Sequence, residues 1–397
     1  MTVRVNKPSF NIREKLSELG RKFGLKGSEL VAAETAQEAR DLVSAGRKNM
    51  CINGDFRVAQ RSTSMSGRTS TAYWTVDRFQ TGISAAGTWT ISQSTDVPDG
   101  FANSIKYDCT TADTSLDSGS ELWLAQKIEA QNLQHLDYDR PSCRDCTFSF
   151  YMKTNKTGVY TVEIFQADGN RTIGFEAEVT QTGWARYEFV VPGDPSGTIN
   201  NDNGVGLWLF IWMATGTGKT SGTFTNGKWA ANATTNRLSS RNVNFADSTS
   251  NELYITGYQF ELGRNATEFE HRSYGEELAL CQRYYQKMYF TNSDYPFGYC
   301  YTYGQGSSAC SVPLAAPMRD SSPNISYSTL RIRGYNQDGT NGSQNITNIT
   351  GQTQESHALL QADLSHSNVP SAAVGSASVL TNGSSSSSSY LAVNAEL

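Results

Sequence analysis

Charge is scarce in this 397-residue chain, and it carries no basic excess. Only 18% of residues are charged, with 33 Lys and Arg against 38 Asp and Glu, for a net charge of −5. A nucleic-acid binder needs a basic face to neutralise phosphates, so the composition argues against that class. Long hydrophobic runs are missing too: Val205 to Met213 is far too short to span a bilayer. No basic stretch followed by an apolar one opens the chain, which predicts folding in a cytosol without a secretory signal. Histidine is rare, and His135, His271, His357 and His366 are scattered. Cysteine is odd in number, with 7 in all, and Cys143 and Cys146 alone have a suggestive spacing. A structural zinc needs two further ligands of that quality, so free thiols and no metal are expected.

Catalytic signatures are equally thin. The chain contains no GxSxG and no HExxH. The string Ala214 to Thr220, ATGTGKT, approaches a phosphate loop, but Met213 stands where the first glycine belongs and no helical pattern follows. A Gly-rich loop accounts for it better. The turn from Asn200 to Gly204 offers oxygen ligands without EF-hand spacing, so a solvated turn is expected there. No cofactor and no enzyme site are predicted. Scattered carboxylates leave open a fibre that cleaves surface polysaccharide, since paired acids are what glycoside hydrolysis requires.

What is abundant is Gly, Ser, Thr and Asn, which favours strands and turns. Residues 1–49 differ from the rest. Asn11 with Glu14 and Thr35 with Glu38 read as capping boxes opening two short helices, stopped by Gly20 and Gly46. Their narrow stripes, including Leu16 and Leu19 in the first and Ala39 and Leu42 in the second, suit contact between copies of the segment around a symmetry axis. An N-terminal arm that orders on its partner fits the same pattern. From residue 50 to 270 period-two runs recur at Trp89–Ile91, Thr147–Met152, Val159–Phe165, Ala185–Val191, Val205–Met213 and Leu253–Phe260. Turn clusters separate them, so a jelly-roll-like β-sandwich is predicted. All 7 tryptophans lie in it. Most are expected as core anchors, with Trp74 and Trp229, beside loop-like sequence, as candidates to offer a ring face to a sugar.

Ser273 with Glu276 reads as a third capping box, opening a connecting helix over 271–290 with Leu278, Cys281, Tyr285 and Met288 as its stripe. That stripe buries itself either against the two β bodies or against copies of itself, which makes Leu278 and Tyr285 oligomerisation candidates. Residues 291–397 read as a second, sandwich-like β domain, with strands at Ile325–Tyr327, Leu330–Ile332 and Ile346–Ile349. Tyr299, Tyr301 and Tyr303 alternate along one strand and share a face. With Asn382 on a distal loop they are the candidate contact residues, and interior or inter-subunit packing is their competing role.

Several stretches resemble bacteriophage tail-fibre and minor virion structural proteins. "CINGDFRVAQRST" from Cys51, "YWTVDRF" from Tyr73 and "YITGYQFELG" from Tyr254 look like the opening and the last strand of a carbohydrate-binding-like jelly roll. The junction "ATEFEHRSYGEELALCQRYYQ", "PLAAPMRDSSPNIS" from Pro313 and the ending "YLAVNAEL" resemble the tip domain that accompanies it, and "TAQEARDLVSAGRKN" from Thr35 resembles the short helical segments before such domains. The resemblance implies a virion tail fibre made in the host cytoplasm. It implies a homotrimer attached to tail or adaptor proteins through its N-terminus, with host surface polysaccharide or protein bound through distal β domains. It implies neither nucleic-acid binding nor membrane insertion. A virion adaptor or decoration protein that binds no receptor is the structural alternative. The N-terminal segment, residues 1–49, departs from the pattern of long fibres in that no extended coiled coil or β-helix shaft is read in it.

Overall fold

The alternation read at Ala185–Val191 is a strand with those bounds, and the runs at Val159–Phe165, Val205–Met213 and Leu253–Phe260 fall within slightly longer ones. Each sets one apolar row against a common core. The structure, a computed structural model, describes residues 48–290, 296–304, 306–335, 341–354, 357–366, 377–382 and 389–397. The two short helices expected in the N-terminal segment, with Leu16, Leu19, Ala39 and Leu42, fall outside the described residues.

Strands are numbered along the chain. One sheet runs β1 (Ser64–Arg68), β3 (Thr88–Ser94), β4 (Ser104–Thr111), β12 (Glu252–Leu262), β6 (Cys146–Thr154), β9 (Ala185–Val191). The facing sheet runs β11 (Ala230–Ala231), β8 (Arg171–Val179), β7 (Gly158–Gln166), β10 (Val205–Thr215), β5 (Glu121–Glu129), β2 (Phe79–Ser84). The chain crosses between sheets from β4 to β5 to β6 to β7, which makes the sandwich jelly-roll-like. Between the sheets Trp89 stacks on Phe245 at 5.3 Å, and Phe79 and Phe148 meet Tyr258 edge-on at 5.1 and 4.7 Å. The Tyr258 hydroxyl crosses the core to donate to the Leu209 carbonyl at 2.6 Å, which satisfies its one polar atom in an apolar interior. Trp89 is the indole fully buried between the sheets; Trp123 and Trp212 are buried on the outer face of the second sheet, and Trp74, Trp184, Trp208 and Trp229 are half-buried. Gly257, at φ +66°, sits where the β12–β6 register shifts, and a side chain there would strike the ring of Tyr151.

The connecting helix is α1 (Tyr274–Gln282), and the Ser273 side chain caps it by accepting from the Glu276 amide at 3.3 Å. It ends eight residues before the predicted limit of 290. Tyr285 and Met288, expected on its stripe, belong instead to strand β13 (Tyr285–Phe290). The reason is non-local: β13 pairs with β21 (Ser389–Asn394) from Tyr285 opposite Asn394 to Phe290 opposite Ser389. Such a partner leaves no trace in local periodicity. The third strand of this small sheet is β16 (Asn324–Ser328), on the other side of β21.

The rest of the second body closes as a barrel in the order β14 (Gly298–Gly304), β15 (Ser307–Pro313), β19 (His357–His366), β18 (Asn341–Gln354), β17 (Leu330–Tyr335), β20 (Ala377–Asn382), with β20 pairing back to β14. Closure removes the edges that two separate sheets would have left exposed. Val312, Leu330, Ile332, Leu360, Leu364 and Leu380 fill it. The expectation that every thiol is free is overturned here: Cys300 and Cys310 face each other across β14 and β15 and form a disulfide. Cys51, Cys109, Cys143, Cys146 and Cys281 are free.

The two bodies are joined through charge and aromatic contact. Arg78, buried in the sandwich, places its guanidinium 3.4 Å from the centre of the Tyr284 ring, donates to the Lys127 carbonyl at 2.7 Å and pairs with Glu396. Arg61 covers the Tyr285 ring at 3.7 Å and reaches Asp77 and Glu396, each at 3.3 Å. Arg319 donates to Ala395 and Asn203 carbonyls at 2.8 Å, and Arg283 makes a two-point bond to Glu129 at 2.9 Å. Planar guanidiniums suit this role because one group satisfies several acceptors while its face stacks on a ring. Tyr285, an oligomerisation candidate from sequence, is thus covered by Arg61 of its own chain, while Leu278 is half-buried on α1.

Candidate functional site

Strand β14 alternates as its sequence predicts. Cys300 and Thr302 turn into the barrel, while Tyr299, Tyr301 and Tyr303 stand outside it, 75%, 53% and 49% exposed. Three phenol rings kept in water on one strand forgo the burial that ordinarily repays such area. Spaced two residues apart, they form a ridge with a repeat of about 6.8 Å.

Register places everything around the ridge. Tyr299 lies opposite Ser311 of β15 and Val379 of β20, and Tyr301 opposite Ala309 and Ala377. These flanking side chains are short, so the rings rise above them and leave a hollow on each side. One strand further out, Gln361 and Asp363 of β19 pair with Ser311 and Ala309. On the other side Arg333 of β17 pairs with Val379, and Arg331 precedes it by two residues on the same face. The hollow between Tyr299 and Arg333 has a volume of about 410 Å³. The one bounded by Tyr299, Tyr301, Gln361 and Asp363 has about 510 Å³. Both lie in the size range of small-ligand sites. Beneath the ridge the Cys300–Cys310 disulfide and a hydroxyl network hold β14 against its neighbours, with Thr302 and Ser308 oxygens 3.0 Å apart and Ser308 3.1 Å from His366 Nε2.

The other sequence candidates do not join this site. Trp74 packs partly on the sandwich core, with Arg68 4.6 Å from its ring centre and its indole nitrogen donating to Ser70. Trp229 is half-buried edge-on to Tyr138 and donates to the Pro192 carbonyl at 2.7 Å. Asn382 is the last residue of β20, paired in register with Leu330. Arg331, Arg333, Gln361 and Asp363 went unnoticed in the sequence because only the closed barrel brings their strands beside β14. The alternation in "LRIRGY" was the available signal.

A second aromatic face exists on the outer side of the sandwich. Trp123, Trp208, Phe210, Trp212 and Phe165 cluster there. The chain between β10 and β12 crosses this face and closes most of it. Arg237, on that crossing segment, makes a two-point bond at 2.7 and 2.9 Å to Glu163, which is fully buried and also accepts from Thr172 and Trp212. The string that resembled a phosphate loop is the start of this segment, and Lys219 pairs with Glu121 at 2.7 Å. Among the described residues no group of three or more His, Cys, Asp or Glu is arranged to hold a metal ion, and Cys143 and Cys146 stay apart from any such group.

No family model matches the chain, and no curated protein does. Solved structures do match at low identity. The enzymatically active domain of tailspike protein 4 of bacteriophage CBA120 is 13% identical over 54% of this chain with a TM-score of 0.28, and this chain spans 21% of that one. The carbohydrate-binding module TmCBM61, solved with β-1,4-galactotriose, is 12% identical with a TM-score of 0.25, over 55% of this chain and 100% of its own. The xylan-binding domain CBM22-1 of Paenibacillus barcinonensis Xyn10C is 8% identical with a TM-score of 0.27, over 56% and 100%.

Proposed function

We propose that this chain is a virion tail protein, a tail fibre, that binds a bacterial surface through its barrel without cleaving what it binds. The observation that carries the reading is the exposed Tyr299–Tyr301–Tyr303 ridge with a hollow on either side. Phenol rings stack on the apolar faces of sugars, and the flanking guanidinium, amide and carboxylate supply hydrogen bonds to hydroxyls. Among the described residues the wall carries one carboxylate, Asp363, where glycoside hydrolysis uses a pair, which favours binding over cleavage.

In this reading residues 1–49 attach the protein to the tail and assemble it as a homotrimer. Threefold repetition converts weak single contacts into avidity. The test is adsorption of the purified chain to a panel of bacterial cells, compared with the Tyr299→Ala, Tyr301→Ala, Tyr303→Ala triple variant. Loss of about 1–3 kcal/mol of binding per stacked ring is expected, by analogy with base stacking on aromatic side chains. Undiminished adsorption by a folded triple variant would remove the ridge from the interaction. Light scattering on the full chain and on one starting at Met50 checks the trimer and the segment assigned to it.

A further inference from the structure

Cations are absent from one side of the barrel. From residue 291 onward the chain has no lysine, and its arginines are Arg319 at the junction and Arg331 and Arg333 on β17. In the closed order β15 stands opposite β17, three strands away in either direction. The hollow of about 510 Å³ has β15 as its floor, with β14 and β19 as its walls. Its outward residues run Tyr299, Ser311, Gln361 in one row and Tyr301, Ala309, Asp363 in the next. Beyond β19 the rows continue with Gln352 and Thr350 of β18, both neutral. Asp363 alone is charged among these residues. Its carboxylate and the Gln361 carboxamide are exposed, and neither has a hydrogen-bond or ion-pair partner among the described residues. Two strand spacings, roughly 10 Å, separate the Tyr301 backbone from that of Asp363.

On the reading given above, we infer that this hollow takes an amino sugar, a glycan unit that carries a protonated amine. Its ammonium lies between the Asp363 carboxylate and the Tyr301 ring, its apolar face rests on Tyr299, and its hydroxyls meet Gln361. An ionised carboxylate only accepts hydrogen bonds, and the face of an aromatic ring is the negative end of its quadrupole. Both walls therefore favour a cation and disfavour an anion. A neutral hydroxyl could also donate to Asp363, but an ammonium brings charge to the carboxylate and to the ring at once. Because no arginine or lysine stands on these strands, the protein supplies no cation of its own to fill that place.

Calorimetric titration of the full chain with the glucosamine trimer and with the N-acetylglucosamine trimer tests this. A mildly acid pH is used, where such amines are protonated and exposed carboxylates ionised. At low salt the amine trimer is expected to bind about tenfold more tightly, the sum of one exposed ion pair and one cation–π contact. Asp363→Asn erases that preference. Asp99→Asn, which removes the same charge from an exposed turn of the sandwich, keeps it and so separates a site from general attraction to an acidic protein. Equal binding of the two trimers, or tighter binding of the acetylated one, overturns the inference. So does a preference that survives Asp363→Asn, or one that Asp99→Asn weakens equally. Failure of both trimers to bind a chain that still adsorbs to cells through the tyrosines overturns the amino sugar and leaves the ridge in place. Undiminished adsorption by the folded triple tyrosine variant removes the ridge itself, whatever the trimers do.

Discussion

The guanidinium of Arg78 lies 3.4 Å from the centre of the Tyr284 ring, with Arg78 1% exposed. One residue from the sandwich and one from the linker between the two bodies thereby form a single buried contact. Glu396, from the far end of the second body, neutralises it.

Replacing Arg78 by Met should destabilise the protein by about 3–5 kcal/mol, because Glu396 then keeps a buried charge with its main partner gone. Adding Glu396→Gln should recover part of that loss, since the two changes share one interaction. Chemical denaturation of both variants measures it. A single-variant loss under about 1 kcal/mol would mean that the ion pair is not what secures the junction.

Asp77 predicts a pH dependence. Burial pushes its carboxyl up to about 7, against the opposing pull of Arg61 and Gln60. The native state therefore holds this proton more tightly than the unfolded chain does. Stability from Asp77 is fully present below the unfolded value near 3.8 and is lost as pH rises through about 7. Melting curves should show stability falling from pH 4 to 7, with a shallower fall in Asp77→Asn. An equal slope in the two proteins would assign the dependence to other groups.

The Cys300–Cys310 bridge closes a short loop, with a sequence separation of 10. Its removal in a Cys300→Ala, Cys310→Ala variant should cost roughly 2–3 kcal/mol, confined to the barrel. Thermal melts with and without reductant check this through the tyrosine and tryptophan signals separately, because all 7 tryptophans lie in residues 74–229. A reductant-sensitive tryptophan transition would show the sandwich depending on the bridge.

Arg237 holds the crossing segment over the second aromatic face. Arg237→Met leaves Glu163 buried with only neutral donors, and a loss of about 3–5 kcal/mol is expected. Faster proteolysis between residues 217 and 240, together with a red shift in tryptophan emission as Trp212 and Trp123 meet water, identifies the loss as local. Unchanged emission would mean that Leu238 and its neighbours hold the cover without the ion pair.

Much of the architecture could be read from alternation, and the reasons for the misses are physical. β9 and β14 have one wet face, so polar and apolar residues take turns. β5, in contrast, is buried along almost its whole length, because its inner row meets the core and its outer row lies under aromatic and junction contacts. It offers no alternation to find. β13 has the sequence look of helix because Leu278, Cys281, Tyr285 and Met288 fall at helical intervals, while its partner β21 lies about a hundred residues away in sequence. The tyrosines were legible because they share one strand. Arg333 and Asp363 were not, since their place beside the ridge exists only after closure of the barrel. The disulfide hides for the same reason: spacing cannot show that Cys300 and Cys310 are opposed across a hairpin.

The small sheet has a mechanical consequence. β13 leads out of the junction towards the barrel and β21 leads back, antiparallel and in register over six pairs. A pull on the barrel is therefore carried by one covalent tether, β13, with β21 running beside it and held to the junction by hydrogen bonds and the Arg78–Glu396 ion pair. Both strands are drawn along their length, so the ladder between them is not peeled open, and the Ala395 amide bonded to the Tyr284 carbonyl at 2.7 Å ties the returning strand at its root. Two anchored strands also resist torsion, which a single linker would release by rotating about its bonds. A barrel mounted this way keeps its heading while under load.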